Sequence, residues 1–378
     1  MDTSQNLAPD ASQFKIAVVG GGLGGLTLAS VLQHAYKIKC TVFELDDTVD
    51  SRSQGGSLDL HFDSGQLALK KAGLLDQFRK HARYQGQDTD RKLLRQILID
   101  SLNDGTIQWG KKVNKVEEVS KNQDKNSRRH TLTFQDGQTE TFDLVVGADG
   151  AWSKIRKFVS EATPFYTGIF FAEVCLSNAD VNHPTASKLV GNGTYMALQD
   201  NKGLLCQRNG DGSIRGYIMI RIEENGVSHL DFSNPEIPRN YFLERLSDWD
   251  DSVKVFIKEA TYFIPRGCYM LPTDHTWKSH PGVTLIGDAA HLMSPFAGEG
   301  ANMAMLDGAN LAAAISEIVH DGKDLATTIE NFEREMHNIV TGPAIESAEN
   351  IDMFMSDDAP QGVVDFFTMA YGGGAIPQ

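Results

Sequence analysis

Cysteine is scarce: the chain has four in 378 residues (Cys40, Cys175, Cys206, Cys268), and no two stand in a CxxC spacing. That excludes a disulfide framework and a thiolate zinc site, and it fits a reducing compartment. Long hydrophobic runs are missing as well. None approaches the ~18 apolar residues that a membrane span needs. The start of the chain, Met1 to Gln13, carries Asp2 and Asp10 but no base and no apolar stretch, so no secretory leader is read there and a cytoplasmic location is expected. Positive charge is in deficit, with 50 acidic side chains against 35 basic ones and a net charge of −15. Nucleic acid and anionic membrane surfaces repel such a protein at long range, which excludes both as partners. Disorder is excluded too, because 41% hydrophobic and 22% charged residues make an ordinary globular composition.

What is present is glycine, at 35 positions, several of them between a strand and a helix. Lys15-Ile-Ala-Val-Val-Gly20 reads as a buried parallel strand. The glycine turn Gly20–Gly25 follows, then a helical pattern over Leu26–Ala35 and a second strand, Lys39–Glu44. That is one βαβ unit. Further on, helices are expected at Ser64–Lys71 and 91–102, and strands and hairpins over 106–146. Residues 165–270 alternate strand-like runs with Asn/Asp/Gly turns, the pattern of an antiparallel sheet. A helical segment is expected over 238–258, a buried strand at Val283–Gly287 and a helix from Gly300 to His320. Another helix is expected over 327–355, broken or kinked at Gly342-Pro343. The predicted fold is α/β: a Rossmann-like domain over 1–164, resuming at 273–325. An antiparallel-sheet domain at 165–272 interrupts it, and a C-terminal bridging helix and tail occupy 326–378.

Three constellations carry chemistry. In the first, Gly20, Gly22 and Gly25 satisfy G-x-G-x-x-G between strand and helix. Gly20 permits the turn, Gly22 lets the backbone approach a pyrophosphate, and Gly25 lets helix and strand pack closely. Glu44 stands 19 residues after Gly25 at a strand end, where an acid suits the hydroxyls of an adenosine ribose. In the second, a strand over 143–147 ends in Asp149-Gly150, with Ser153 and Arg156 one turn apart; taken alone, Asp149 reads as a helix cap. The third runs from Gly287-Asp288-Ala-Ala-His291 through Pro295 to Gly298-Glu-Gly300-Ala301-Asn302. Its Asp288 can accept from a ribityl hydroxyl, and its glycines leave backbone N–H groups bare before a helix. His291 reads as a packed or hydrogen-bonded histidine, with no partner acid apparent.

In this order and spacing the three motifs resemble FAD-dependent aromatic hydroxylases of the para-hydroxybenzoate hydroxylase type, over roughly residues 14–320. Gly55-Gly-Ser-Leu-Asp-Leu60, Ser64-Gly-Gln66, Lys70–Leu75, Leu94-Arg95, Ser247-Asp-Trp-Asp250 and Gly287–Met293 are more closely similar to the tetracycline-inactivating flavin monooxygenases. The resemblance implies a GR2-type FAD-binding domain, NADPH as electron donor and dioxygen as co-substrate. It implies hydroxylation of an aromatic or polyketide small molecule through a flavin C4a-hydroperoxide, by a monomer and with no catalytic side chain required. It assigns Gly22 and Glu44 to the ADP half of FAD and Arg95 to the flavin nucleotide. Asp59 falls near the ring system, Asp288 at the diphosphate–ribityl region and Arg52 at the nicotinamide donor. Asp149 is linked to both cofactors, and Gly300, Ala301 and Asn302 form the helix start beside the flavin.

The substrate face is expected on the second-domain sheet, at Glu173 and Arg215, with Phe296 and Gly298 at its edge. Here the chain departs from the tetracycline group: Glu173 replaces a glutamine, Arg215 replaces a histidine, and an arginine near Gly193-Thr194-Tyr195 is absent. Such changes alter substrate choice strongly, because buried polar groups left unpaired are costly. Two alternatives stay open: a flavin reductase or dehydrogenase without oxygen insertion, and a non-enzymatic FAD-holding protein that sequesters a planar ligand.

Overall fold

Ile16-Ala-Val-Val19 is apolar at every position and buried at every position, as a strand covered on both faces must be. The computed structural model, which describes residues 14–51, 55–83, 88–119 and 129–371, sets this run in the middle of a parallel sheet. In chain order the strands begin with β1 (Ile16–Val19), β2 (Thr41–Phe43), β3 (Ser57–Asp59), β4 (Asp88–Asp90) and β5 (Ile107–Gln108). Then come β6 (Val113–Glu118), β7 (His130–Phe134), β8 (Thr139–Phe142), β9 (Leu144–Gly147) and β10 (Phe165–Leu176). The last are β11 (Thr194–Gln199), β12 (Lys202–Arg208), β13 (Ile214–Arg221), β14 (Ile264–Met270) and β15 (Val283–Leu285). The chain divides into two compact units, Met1–Pro164 with Met270–Ile345, and Phe165–Tyr269 with Glu346–Gln378. Arg52 and the tail from 372 onward lie outside the described residues.

In the first unit the parallel sheet has the order β15-β9-β1-β2-β5. Val19 stands opposite both Phe43 and Gly147, and Gly147 opposite Leu285. The residues that follow these four strands therefore emerge side by side at one sheet edge. The direction of winding switches at β1, where open α/β sheets hold ligands. The helix Leu23–Tyr36 crosses back from β1 to β2, and it lies against the helix Gly300–Asp321 at very short range. A Cβ on Gly308 would sit 2.5 Å from the Gly24 carbonyl oxygen and 2.9 Å from the Leu28 nitrogen. Only a hydrogen fits there.

In the second unit an antiparallel sheet has the order β11-β12-β13-β10-β14. Alternation sends Phe170, Ala172, Val174 and Leu176 into a core with Leu204, Cys206, Ile214, Ile218 and Ile220. The helices Glu236–Arg245 and Val255–Lys258 cover that face with the fully buried Phe242 and Phe256, each contributing about 2 kcal/mol of burial. Glu173, Arg215 and Tyr217 consequently belong to the opposite face.

Two expectations are corrected. The helical segment over 238–258 is two helices, because Asp250 accepts from both the backbone N–H (2.8 Å) and the hydroxyl (2.5 Å) of Ser252. That local turn competes with helix. Conversely, the helix Leu325–Phe354 runs through Pro343 unbroken. Met336, Val340 and Ala344, spaced four apart, are all buried, and this packing outweighs the one hydrogen bond that proline cannot donate. Among the described residues no helix is long and apolar enough to cross a membrane.

Gly308→Val should lower stability by about 3 kcal/mol, through overpacking against backbone on the neighbouring helix. A urea unfolding midpoint equal to that of the natural chain would show that the two helices do not meet at this point.

Candidate active site

Gly20 has a φ of +111°, and a Cβ there would lie 2.2 Å from the Ala148 carbonyl oxygen, so the turn out of β1 admits glycine alone. A Cβ on Gly25 would lie 2.2 Å from the Gly20 oxygen, which fixes the close packing of helix on strand. Gly22 is different. It is the exposed N-cap of the helix Leu23–Tyr36, and a Cβ there would meet nothing. No side chain caps that helix and no acid stands in its first turn. The positive dipole end is therefore open to an anion.

Glu44, at the end of β2, turns its buried carboxylate to this turn. Oε2 accepts from the Gly21 N–H at 2.6 Å and Oε1 from the Asp46 N–H at 2.9 Å. A carboxylate has about four acceptor sites, so capacity remains for ribose hydroxyls. Arg95, buried on the helix Arg91–Asp100, donates Nε to Gly21 O at 3.1 Å and Nη1 to Val49 O at 3.2 Å. Its Nη2 lies 3.9 Å from Glu44, and its guanidinium stands 5.5 Å from the Trp109 ring centre. It thus clamps the glycine turn from behind.

At the end of β9, Asp149 accepts from Ser153 Oγ (2.5 Å), Lys154 N–H (2.6 Å) and Ile155 N–H (3.4 Å), the capping arrangement. Burial pushes its pKa above the ordinary range despite these donors. Ser153 Oγ in turn accepts from the Arg156 N–H at 2.8 Å. Arg156 then reaches across to β15's outgoing loop, donating to Asp288 O (3.3 Å) and Ala289 O (3.0 Å), and back to Ala151 O (2.5 Å). The second and third motifs are joined by this one guanidinium. Sequence spacing had singled out Arg156 only as a neighbour of Ser153.

Asp288 is exposed just after Gly287, and among the described residues its carboxylate takes no hydrogen bond. Asp307 supports the loop from beneath. Its Oδ2 accepts the Gly287 N–H at 2.9 Å and pairs with His291 Nε2 at 2.6 Å. His291 thus has an acid partner, sixteen residues away on the helix Gly300–Asp321; the helical register that brings it round was the missed signal. Asn302 is buried on the same helix. Its Oδ1 accepts from the N–H groups of His61 (3.0 Å) and Gly65 (3.3 Å), and its Nδ2 donates to Asp59 O at 2.9 Å. Its side chain is therefore spent on protein backbone, and Asp59 itself stays exposed at the end of β3. Ala301 is buried beside it, and Gly300 opens the helix. Phe296 lies in the turn Pro295–Ala297, closed by Gly298 with a φ of +72° and open space where a Cβ would stand.

Phe296 and Gly298 belong to the first unit, and Glu173 and Arg215 to the second. Glu173, only 1% exposed, pairs with Arg215 Nη1 and with Arg266 Nε, the latter at 2.8 Å. It is not presented as a lone acceptor. Arg266 was missed by sequence reading, since a single arginine on a strand carries no signal until its neighbour is known.

A family model described as an FAD binding domain matches residues 92–342, two thirds of the chain. The chain belongs to this FAD-binding family. Monooxygenase penA of Penicillium thymicola is 30% identical over 368 residues, covering 80% of this chain and 84% of penA. Monooxygenase asqM of Emericella nidulans is 29% identical over 377 residues, covering 81% and 85%. The protein is thus a flavin-dependent monooxygenase by family. The tetracycline destructase Tet(55) shares its fold with a TM-score of 0.73 over 97% of this chain and 96% of Tet(55), at 17% identity. That likeness is one of fold alone. The family match begins after the glycine turn, so the reading of Gly20–Gly25 rests on the geometry above.

Two more histidines stand close to the third motif. His275 donates Nδ1–H to Ala290 O at 2.7 Å and meets Ser160 Oγ at 2.9 Å with Nε2. His337 packs edge-on against Trp277 at 4.5 Å. Burial, then repulsion from His275 and His291, pushes its pKa down to about 4. Because the folded value lies below the unfolded one of about 6.5, stability is lost as pH falls through 6.5 toward 4. From pH 7 to pH 5, His337→Gln should reduce that loss by at most about 2 kcal/mol, the ring being partly exposed. Matching slopes of stability against pH in variant and natural chain would rule the ring out as the cause.

Proposed function

We propose that this monooxygenase takes electrons from NADPH and one oxygen atom from dioxygen to hydroxylate a polycyclic or phenolic small molecule, with tetracycline-like polyketides as the first compounds to test. One substrate, O2, NADPH and a proton yield hydroxylated product, NADP+ and water. The observation that carries the reading is the alignment of four strand ends at one sheet edge, which assembles Gly22, Glu44, Asp149 and Asp288 from distant parts of the chain.

The residues present fit FAD. Gly22 and the uncapped helix behind it accommodate the pyrophosphate, and Glu44 accepts from the adenosine ribose while repelling a 2′-phosphate there. Arg95 keeps the turn and Glu44 in place. Asp288, exposed and with no hydrogen bond to its carboxylate among the described residues, accepts from the ribityl hydroxyls, and Arg156 fixes the backbone on which it stands. Gly300, at the open first turn of its helix, offers a backbone N–H beside the ring, whereas the Gly298 N–H is taken by the Pro295 oxygen at 3.1 Å. When bound, the flavin supplies the reductive activation of dioxygen, and the chain supplies position, electrostatics and exclusion of water. No side chain is assigned as acid or base. Arg52 is proposed at the nicotinamide donor on its resemblance alone.

Asp288→Ala and Arg95→Ala should each weaken FAD about tenfold or more, the order expected for hydrogen bonds to charged groups. Fluorescence titration of apoprotein with FAD measures this, and unchanged affinity in both variants overturns the assignment. A substrate panel tests the reaction. Tetracyclines, anthraquinones and simple phenols are scored together for substrate-stimulated NADPH oxidation and for a product one oxygen heavier, with labelled dioxygen as the source. Product formed without label would identify a reductase instead, and tight binding with no NADPH oxidation would identify a sequestering protein.

A further inference from the structure

Asp307 is buried on the helix Gly300–Asp321 and lies outside all three motifs read from the sequence. Its place becomes clear at the end of β15. The last amide bonded to β9 is that of Ile286, which donates to Gly147 O at 2.9 Å. The next amide leaves the sheet. Gly287 turns with a φ of +59°, and a Cβ there would stand 2.9 Å from the Ala304 Cβ. Its buried N–H goes to Asp307 Oδ2 at 2.9 Å. A carboxylate therefore takes over from a strand where the chain turns out towards Asp288. Hydrogen bonds to an ionised acceptor are roughly twice as strong as neutral ones.

Asp307 is itself held in place. His291 Nε2 lies 2.6 Å from the same oxygen. The next residue, Gly308, is the point where this helix meets the helix Leu23–Tyr36 backbone to backbone. Past Gly287 the turn is tied down by its carbonyls. Arg156 donates to the oxygens of Asp288 and Ala289, His275 to that of Ala290, and the Leu271 N–H to that of Leu292 at 2.8 Å. Among the described residues, Asp307 is the side chain that instead grips an amide, the one directly before Asp288. What the protein leaves open on this turn is the Asp288 carboxylate, exposed and without a hydrogen bond among the described residues. A ligand group fixed before its partner arrives loses less entropy on binding. Without Asp307, the buried Gly287 N–H and the His291 ring would both lose their acceptor, and the turn would have to move to find others.

We propose that Asp307 is a positioning residue for the cofactor: through the Gly287 N–H it aims the Asp288 carboxylate at the ribityl chain of FAD. This rests on the flavin assignment of Asp288 given above. The test follows the release of FAD from flavin-loaded protein after dilution, read as the rise in flavin fluorescence, because affinity changes within one site appear mainly in the rate of release. Asp288→Ala and Asp307→Ala should each speed release about tenfold or more. The double variant should stay within about threefold of Asp288→Ala alone, since aiming a carboxylate that is no longer there achieves nothing. Asp307→Asn keeps an acceptor for the amide but not its charge, so its release should be about threefold faster than in the natural chain and about threefold slower than in Asp307→Ala. Three outcomes would overturn the proposal: release at the natural rate from Asp307→Ala, an asparagine variant as leaky as the alanine one, or a double variant more than about threefold faster than Asp288→Ala. The last would mark a general loosening of the helix. Should the alanine variant not fold, the threefold effect of Asp307→Asn must appear in the natural background and vanish once Asp288 is alanine, and any other result overturns the proposal. A preparation that holds no flavin fails the monooxygenase reading, and an Asp288→Ala variant that keeps the natural rate fails the assignment of Asp288. An Asp307 effect that persists without Asp288 fails this inference alone.

Discussion

Parallel pairing of β15, β9, β1 and β2 is the constraint on which the first unit depends. Strands that run the same way must each return by a crossover, so every outgoing loop lands on the same side. Gly20, Glu44, Asp149 and Asp288 come from stretches far apart in sequence, yet register alone brings their strand ends into line. The chemistry of the edge then needs only short corrections from side chains. Arg95 supplies one, behind the glycine turn, and Arg156 another, between the loops after β9 and β15.

Both arginines are buried, and neither is a simple ion-pair partner. Burying a guanidinium costs several kcal/mol unless its donors are satisfied. Each answers mainly with backbone carbonyls, which cannot be titrated away and which belong to the turns being positioned. Glu173 follows the opposite logic, a buried acid answered by two side-chain cations. The first arrangement stiffens a backbone; the second ties side chains of three neighbouring strands together.

Local pattern carried much of this structure in the sequence. The all-apolar run of β1, the glycines after it and the acid ending β2 are short-range signals, and the resemblance of three motifs in order pointed to the family. Long-range pairings were not legible. The bond of Asn302 to the β3 region, the clamp of Arg156 on the loop after β15 and the company of Glu173 each join residues separated by tens to hundreds of positions. No periodicity announces such contacts. Pro343 shows the reverse failure, a strong local signal overruled by buried neighbours one turn apart, and Asp250 shows a local turn ending a segment whose composition suits helix.

Asn302 carries a consequence for how the chain is made. Its side-chain oxygen holds residue 61, which lies 241 positions earlier. During synthesis the segment after β2 leaves the ribosome long before its fastener exists. Closing so long a loop is slow, and it comes late in folding. An amino-terminal fragment ending before this asparagine would keep the glycine turn yet leave the His61 and Gly65 N–H groups without the acceptor that holds them. Nascent chains of that length would be clients for chaperones rather than partial flavoproteins.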